Sequence, residues 1–194
     1  MTKIHLSQET IARIAYVSQF SGTQDISYYL NGVCLQNSSD GFYAVATNGH
    51  VMAVSKLGDK LEGDDFEIIL QNATAKIIAS CKDRFGIDLE HESGTNRVSI
   101  KTQDGTQTLK AIEGKYPDWR RIVPQGDTAR LGDNPIGLNV VYLALLDKAM
   151  KAFKKHHKTI GNGVALKYYG YSSPVVFEPE SVSGIKVLLM PYRM

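Results

Sequence analysis

The chain has 194 residues, 43% of them hydrophobic and 22% charged, with a formal net charge of +2. That length can bury a core in one or two domains, the composition is that of a globular protein, and the near-neutral balance announces no polyanion partner for the molecule as a whole, so any nucleic-acid surface must come from local clustering. No apolar run reaches the roughly 18 residues of a membrane span, and Cys34 and Cys81 stand far apart without a CxxC, which suits buried free thiols in a soluble cytoplasmic protein.

From the N-terminus, Met1-Thr2-Lys3-Ile4-His5, which lacks the apolar core of a signal peptide, the hydrophobic period changes in a repeating order. Lys3–Leu6 alternates as a strand. Ser7 offers an N-cap, and Ile11, Ile14 and Ala15 follow a helical period to about Phe20. Strand-like runs follow at Ile26–Gln36, Gly41–Ala46 and Val51–Leu57, with Gly41 and Gly49 at the turns. The order then recurs: strand Phe66–Leu70, a helix capped by Asn72 and running to about Arg84, and strands Ile87–Glu92, Arg97–Thr102 and Thr106–Ile112. After a proline-bearing connector it recurs once more, as strand Pro135–Leu138, cap Asn139, helix Val140–Lys155, and strands Val164–Tyr169, Val175–Glu178 and Gly184–Tyr192. The pattern predicts an α+β fold of three β-α-β-β-β modules, with helices on one face of antiparallel sheets. Residues 1–125 would form a unit of two modules, about 1–58 and 65–113, closed by the connector 114–125; residues 134–194 would form a single module.

No GxxxxGK[ST], HExxH, GxSxG or carboxylate cluster occurs, and His156 and His157, adjacent on a helix, diverge by about 100°. No catalysis, metal or cofactor is expected. The third helix is strongly basic: Lys148, Lys151, Lys155 and Lys158 recur at spacings of three and four, opposite an apolar stripe of Leu143, Leu146, Met150 and Phe153. The second helix adds Lys76, Lys82 and Arg84, and the first Arg13. Such a face is either simply solvated or touches a phosphate backbone without reading bases.

Three segments have an unusual character: Thr47-Asn48-Gly49-His50-Val51-Met52, Lys115-Tyr116-Pro117-Asp118-Trp119-Arg120-Arg121-Ile122-Val123-Pro124, and the C-terminal Leu188-Leu189-Met190-Pro191-Tyr192-Arg193-Met194. With Tyr29–Val33 and Ile136–Leu143 they resemble, in order and spacing, the bacterial DNA polymerase III beta subunit (beta sliding clamp) family. The resemblance covers the family's middle domain and the second half of its last domain; the first domain and the first half of the last have no counterpart. Asn48 stands where the family usually has Asp.

The resemblance implies a DNA clamp fold and a non-enzymatic processivity factor. Such a factor encircles duplex DNA without sequence preference and tethers DNA polymerase, clamp loader or repair proteins through a short clamp-binding peptide. The family's pocket carries over to Leu30, Thr47, Gly49, His50, Val51, Met52, Pro117, Arg121, Ile122, Leu188, Met190, Pro191, Tyr192 and Arg193. The DNA-facing set carries over to Arg13, Lys76, Lys82, Arg84, Lys148, Lys151, Lys155 and Lys158. In the family arrangement the first module meets the second through helices and the third through sheet edges. That leaves the Leu143/Leu146/Met150/Phe153 stripe and an edge of the second module bare. Each would meet its own copy across a two-fold axis, which predicts a closed dihedral homotetramer. Two alternatives stay open: an open clamp mimic that binds such peptides without encircling DNA, and an ordinary DNA-binding module.

Overall fold

The structure, a computed structural model, describes residues 1–92, 94–129, 136–157 and 161–192. The first module is β1 (Thr2–Leu6), α1 (Gln8–Val17), β2 (Gly32–Ser38), β3 (Gly41–Thr47) and β4 (Val51–Gly58). The second is β5 (Phe66–Gln71), α2 (Asn72–Ser80), β6 (Ile87–His91), β7 (Arg97–Thr102) and β8 (Gly105–Ile112). The third is α3 (Val140–Lys154), β9 (Val164–Lys167), β10 (Val175–Pro179) and β11 (Ile185–Leu189). All eleven strands join one antiparallel sheet in the order β1-β6-β7-β8-β5-β2-β3-β4-β11-β10-β9.

The first two modules exchange their opening strands: β1 pairs with β6, and β5 with β2. The third module attaches through β11, which pairs with β4 from Ile185↔Ser55 to Leu189↔Val51. Alternation along β4 sends Val51 and Ala53 to the helices and Met52 and Val54 to the opposite face. The helix-side core includes residues of all three modules, so residues 1–125 and the third module share it.

Several local signals act as their chemistry suggests. The Ser7 hydroxyl accepts from the Thr10 N–H at 3.2 Å, and Asn139 Oδ1 accepts from the Val141 N–H at 2.9 Å, capping α1 and α3. Other expectations are corrected. Asn72 does not cap α2; its side-chain amide donates to Gly22 O at 2.7 Å, pinning the segment before β2. That segment is no strand from Ile26: Asn31 Oδ1 accepts from the Asp25 N–H at 2.8 Å, and a short 3-10 turn at Tyr28–Leu30 delays β2 to Gly32. Helix α2 stops at Ser80 rather than near Arg84, because Cys81 turns extended (ψ 125). Of the strand expected at Pro135–Leu138 there is one bridge, Gly137↔Tyr192, and Pro135 lies outside the described residues. Cys34 is buried, but Cys81 only partly so. Among the described residues no helix is long and apolar enough to cross a membrane.

The largest correction concerns α3. Its stripe was expected to be bare, yet Leu146, Met150 and Phe153 are only 9%, 5% and 1% exposed. The β4–β11 pairing carries α3 alongside α1, where Phe153 meets Tyr16 edge-on at 6.4 Å. The ring of His157 stacks on Phe153 at 5.1 Å, and its Nε2 lies 2.6 Å from Glu9 Oε2. His156 reaches Gln8 Oε1 at 3.1 Å and Ala79 O at 3.0 Å, tying the end of α3 to both other helices. Phe153→Ala should therefore cost the folded chain about 3–5 kcal/mol, the usual penalty for emptying a buried aromatic site. Urea unfolding followed by circular dichroism measures this, and an unchanged midpoint would refute the α1–α3 packing.

Candidate functional site

The turn between β3 and β4 is built by side chains. Asn48 Oδ1 accepts from the His50 N–H at 3.0 Å and the Val51 N–H at 3.1 Å. An amide oxygen serves here as well as a carboxylate, so Asn48 in place of Asp preserves the turn. Thr47 Oγ1 accepts from the Gly49 N–H at 3.1 Å and donates to Val51 O at 2.8 Å. Gly49 sits at φ +85, the left-handed region that a side chain disfavours. The turn thus holds His50 outward, where its ring stacks on Tyr142 in the first turn of α3 (5.6 Å, 16°). The Met190 N–H donates to His50 O at 3.4 Å, extending the β4–β11 seam to its end.

A wall is added by the connector after β8, which crosses the sheet on the face away from the helices. The Tyr116 N–H donates to Glu67 Oε1 at 2.6 Å, and Trp119 Nε1 to Gln36 Oε1 at 3.1 Å. Arg120 grips Asp40 with two nitrogens, at 2.7 and 2.9 Å, while its guanidinium lies 4.2 Å over the Trp119 ring and 5.2 Å over Tyr43. The Arg120 hydrogen bond, with help from Ser38, lowers the Asp40 carboxyl to about 2.

The β4–β11 seam brings part of the expected pocket together. Met52 and Leu188 are cross-strand partners on the outer face and share a buried cluster with Leu30. Gly49, His50, Arg121, Ile122, Met190 and Tyr192 are exposed, and Thr47, Pro117 and Pro191 are half-buried. Val51 is corrected: one residue out of phase with Met52, it points into the helix-side core. Arg193 lies outside the described residues. Sequence reading missed Tyr142; its signal was an aromatic three residues after the cap Asn139, in the first turn of an amphipathic helix. It also missed Trp119 and Arg120, which lie inside the Lys115–Pro124 segment but read there as linker.

On the opposite face, α2 and the end of α3 meet the end of α1 around a crevice of about 540 Å³ lined by Lys76, Lys82, Lys155 and His156. Lys76 also borders a smaller hollow with Lys148. Lys151 is exposed and paired with Asp147 at 2.6 Å, and Arg84 lies exposed beyond α2, its guanidinium 4.6 Å over Phe85. Lys158 lies outside the described residues. Arg13 leaves this set: it pairs with Glu9 at 2.7 Å and donates to Ser183 O at 2.9 Å and Lys56 O at 3.2 Å, bracketing the third module to the first.

The family model of the DNA polymerase III beta subunit, central domain, matches residues 5–118, more than half of the chain. The chain belongs to the DNA polymerase III beta subunit family. The beta sliding clamp of Haemophilus influenzae is 29% identical over 124 residues, covering 63% of this chain and 34% of that protein. The chain thus spans about a third of the length of that relative. Across the whole chain, the fold is similar to the crystal structure of the polymerase III beta subunit from Pseudomonas aeruginosa (TM-score 0.76, 19% identity, 67% of that chain covered). It is also similar to the subunit from Borrelia burgdorferi in complex with a natural product (TM-score 0.78, 13% identity, 63% covered). Within this clamp-family chain the connector wall depends on the Asp40–Arg120 pair. In an NMR pH titration the Asp40 carboxyl should titrate near 2, and in Arg120→Ala it should return towards the ordinary value of about 3.9. The pair's contribution, small at a half-exposed position, is complete above the ordinary value and lost as pH falls through the folded one. A wild-type midpoint near 3.9 would refute the pairing.

Proposed function

We propose that this clamp-family chain is a sliding-clamp-like processivity factor. It tethers polymerase or other replication and repair proteins to duplex DNA through the groove along the β4–β11 seam. The observation that carries this reading is the seam itself: strands from the first and third modules pair so that Met52 faces Leu188, and the Met190 N–H reaches His50 O at its end. The exposed His50, Ile122, Met190 and Tyr192 would form its rim. An apolar floor that includes Met52, with the soft side chain of Met190 exposed beyond the end of β11 and polar groups nearby, suits a short linear peptide. A peptide meets the rim first, and rim side chains part for it to reach the buried floor. The work is tethering rather than catalysis. The two-module unit 1–125 and the single module 134–194 are the pieces whose junction forms the groove.

The basic face supports the DNA half of the reading. Lys76 and Lys148 lie on α2 and α3, Lys82 and Lys155 stand just past the ends of those helices, and all four border adjoining hollows, with Lys151 and Arg84 as further exposed cations. Few cations without base-reading partners give sequence-independent, salt-sensitive contact that permits sliding. Ring closure needs free edges: β8 meets β5 only at Ala111 and Ile112, and β9 has β10 alone as a partner among the described residues. Pairing of these edges between copies would close a dihedral homotetramer.

One observation favours the open clamp mimic instead: Leu146, Met150 and Phe153 of the α3 stripe are buried within the chain, which leaves a second copy only the half-buried Leu143. Native mass decides between the two. Light scattering should give about 86 kDa, four times the 21.4 kDa chain, with salt-resistant retention on nicked circular but not linear DNA. A mass of one chain with no such retention would leave the open form. For the groove, Met190→Asp should weaken binding of a fluorescein-labelled clamp-binding peptide at least about tenfold by anisotropy, since a charge would sit on an apolar contact. Undiminished affinity would refute the site.

A further inference from the structure

Two residues further along the same seam, Val54 on β4 faces Lys186 on β11. There the outer face opens into a cavity of about 390 Å³. Its apolar surfaces are Val54, Val123 and Trp119, and its rim carries Lys56, Lys186 and Arg120. The step from Met52 to Val54 is about 7 Å, the span of two residues of extended peptide. The connector segment that carries Pro117 and Ile122 of the proposed groove also lines this cavity with Trp119 and Val123, and β4 carries both Met52 and Val54.

The charges around the cavity are unequal in their freedom. Asp40, the one carboxylate in its lining, is already gripped by Arg120 through two nitrogens. The lysines are loosely held. Lys56 reaches Asp59 at 3.1 Å, but that carboxylate is 98% exposed. Lys186 stands 4.0 Å from Glu178, whose other oxygen is taken by Lys167 at 2.7 Å. The lysine side chains are 44% and 47% exposed, so two ammonium groups flank an apolar hollow without a firm partner.

We propose that this cavity is an acidic-residue subsite of the peptide groove. It accepts a glutamate side chain from the segment flanking the apolar part of a partner's peptide. The methylenes lie against Trp119 and Val54, and the carboxylate sits between Lys56 and Lys186. Charge complementarity in a walled hollow selects an acid over a base, while the apolar walls select a side chain with a hydrocarbon stem. The proposal rests on the peptide-groove reading above and adds to it a preference in partner sequence.

Trp119 is the only tryptophan in the chain, so its fluorescence reports on this cavity. The full-length chain is titrated with acetyl-Ser-Leu-Met-Phe amide extended at one end or the other by Glu-Glu, Ser-Ser or Lys-Lys. Binding is read by calorimetry and Trp119 emission. In one of the two orientations the Glu-Glu peptide should bind about fivefold tighter than its Ser-Ser counterpart and shift Trp119 emission, with the Lys-Lys peptide weakest. Lys186→Glu, a change at a half-exposed position, should reverse the order so that Lys-Lys binds better than Glu-Glu. Equal affinities for the Glu-Glu and Ser-Ser peptides in both orientations would overturn the subsite and leave the groove standing. Failure of every peptide to bind would overturn both.

Discussion

The antiparallel pairing of β4 with β11 is the constraint on which the rest depends. It joins strands about 130 residues apart in sequence and is the route by which the third module's sheet continues the first's. Its register places Met52 against Leu188 and Val54 against Lys186 on the outer face. A slip of β11 by one residue would turn Leu188 and Lys186 inward and present Val187 and Leu189 instead. Arg13 guards the register from the helix side, tying β4 at Lys56 O to the turn before β11 at Ser183 O. Cationic donors to carbonyl oxygens at a mostly buried position are stronger than neutral ones, which is why this arginine serves better as a bracket than as a free surface charge.

The sheet near the seam is covered on both sides, and that explains the composition of its strands. Helices α1 and α3 cover one face, and the connector with Tyr116 and Trp119 covers the other. Strands buried on both faces read as nearly continuous apolar runs, as Val33-Cys34-Leu35 and Val51-Met52-Ala53-Val54 do. Cys34 lies wholly buried in this layer, and burial pushes its thiol well above the usual value, so it behaves as a small hydrophobe. The connector holds its place through oriented polar contacts rather than area alone. Gln36 receives both Trp119 and Arg120, and Asp40 fixes the guanidinium flat over two aromatic rings.

The two faces divide the proposed work between them. On the helix face, lysines from α2 and α3 gather around the end of α1 because packing of Phe153 against Tyr16 brings the third helix to the first. On the outer face, the seam runs from the buried apolar pair Met52 and Leu188 to a cavity edged with ammonium groups. Both depend on the third module docking where it does. The same docking covers most of the α3 stripe, so self-association has to rely on strand edges.

Much of the architecture was legible in the sequence because its signals are local. Period, capping by Ser7 and Asn139, and glycine turns marked most of the elements of the three modules, and the long motifs identified the family. The sequence also placed Lys76 and Lys148 on helices, since spacing alone determines which side of a helix a residue occupies, whereas Lys82 falls beyond the earlier end of α2. What it could not supply were the relations between elements. Asn72 had a cap's identity but found Gly22 O, and Arg13 had a surface cation's identity but found Ser183 O. The α3 stripe announced that it needed a partner without saying that α1 would be that partner. Tyr142 reached His50, and Trp119 and Arg120 became a wall, only after β4 met β11. A residue's own chemistry and its near neighbours set its local conformation. Its function here is decided by which distant groups the strand register brings within a few ångströms, and only the folded chain determines that.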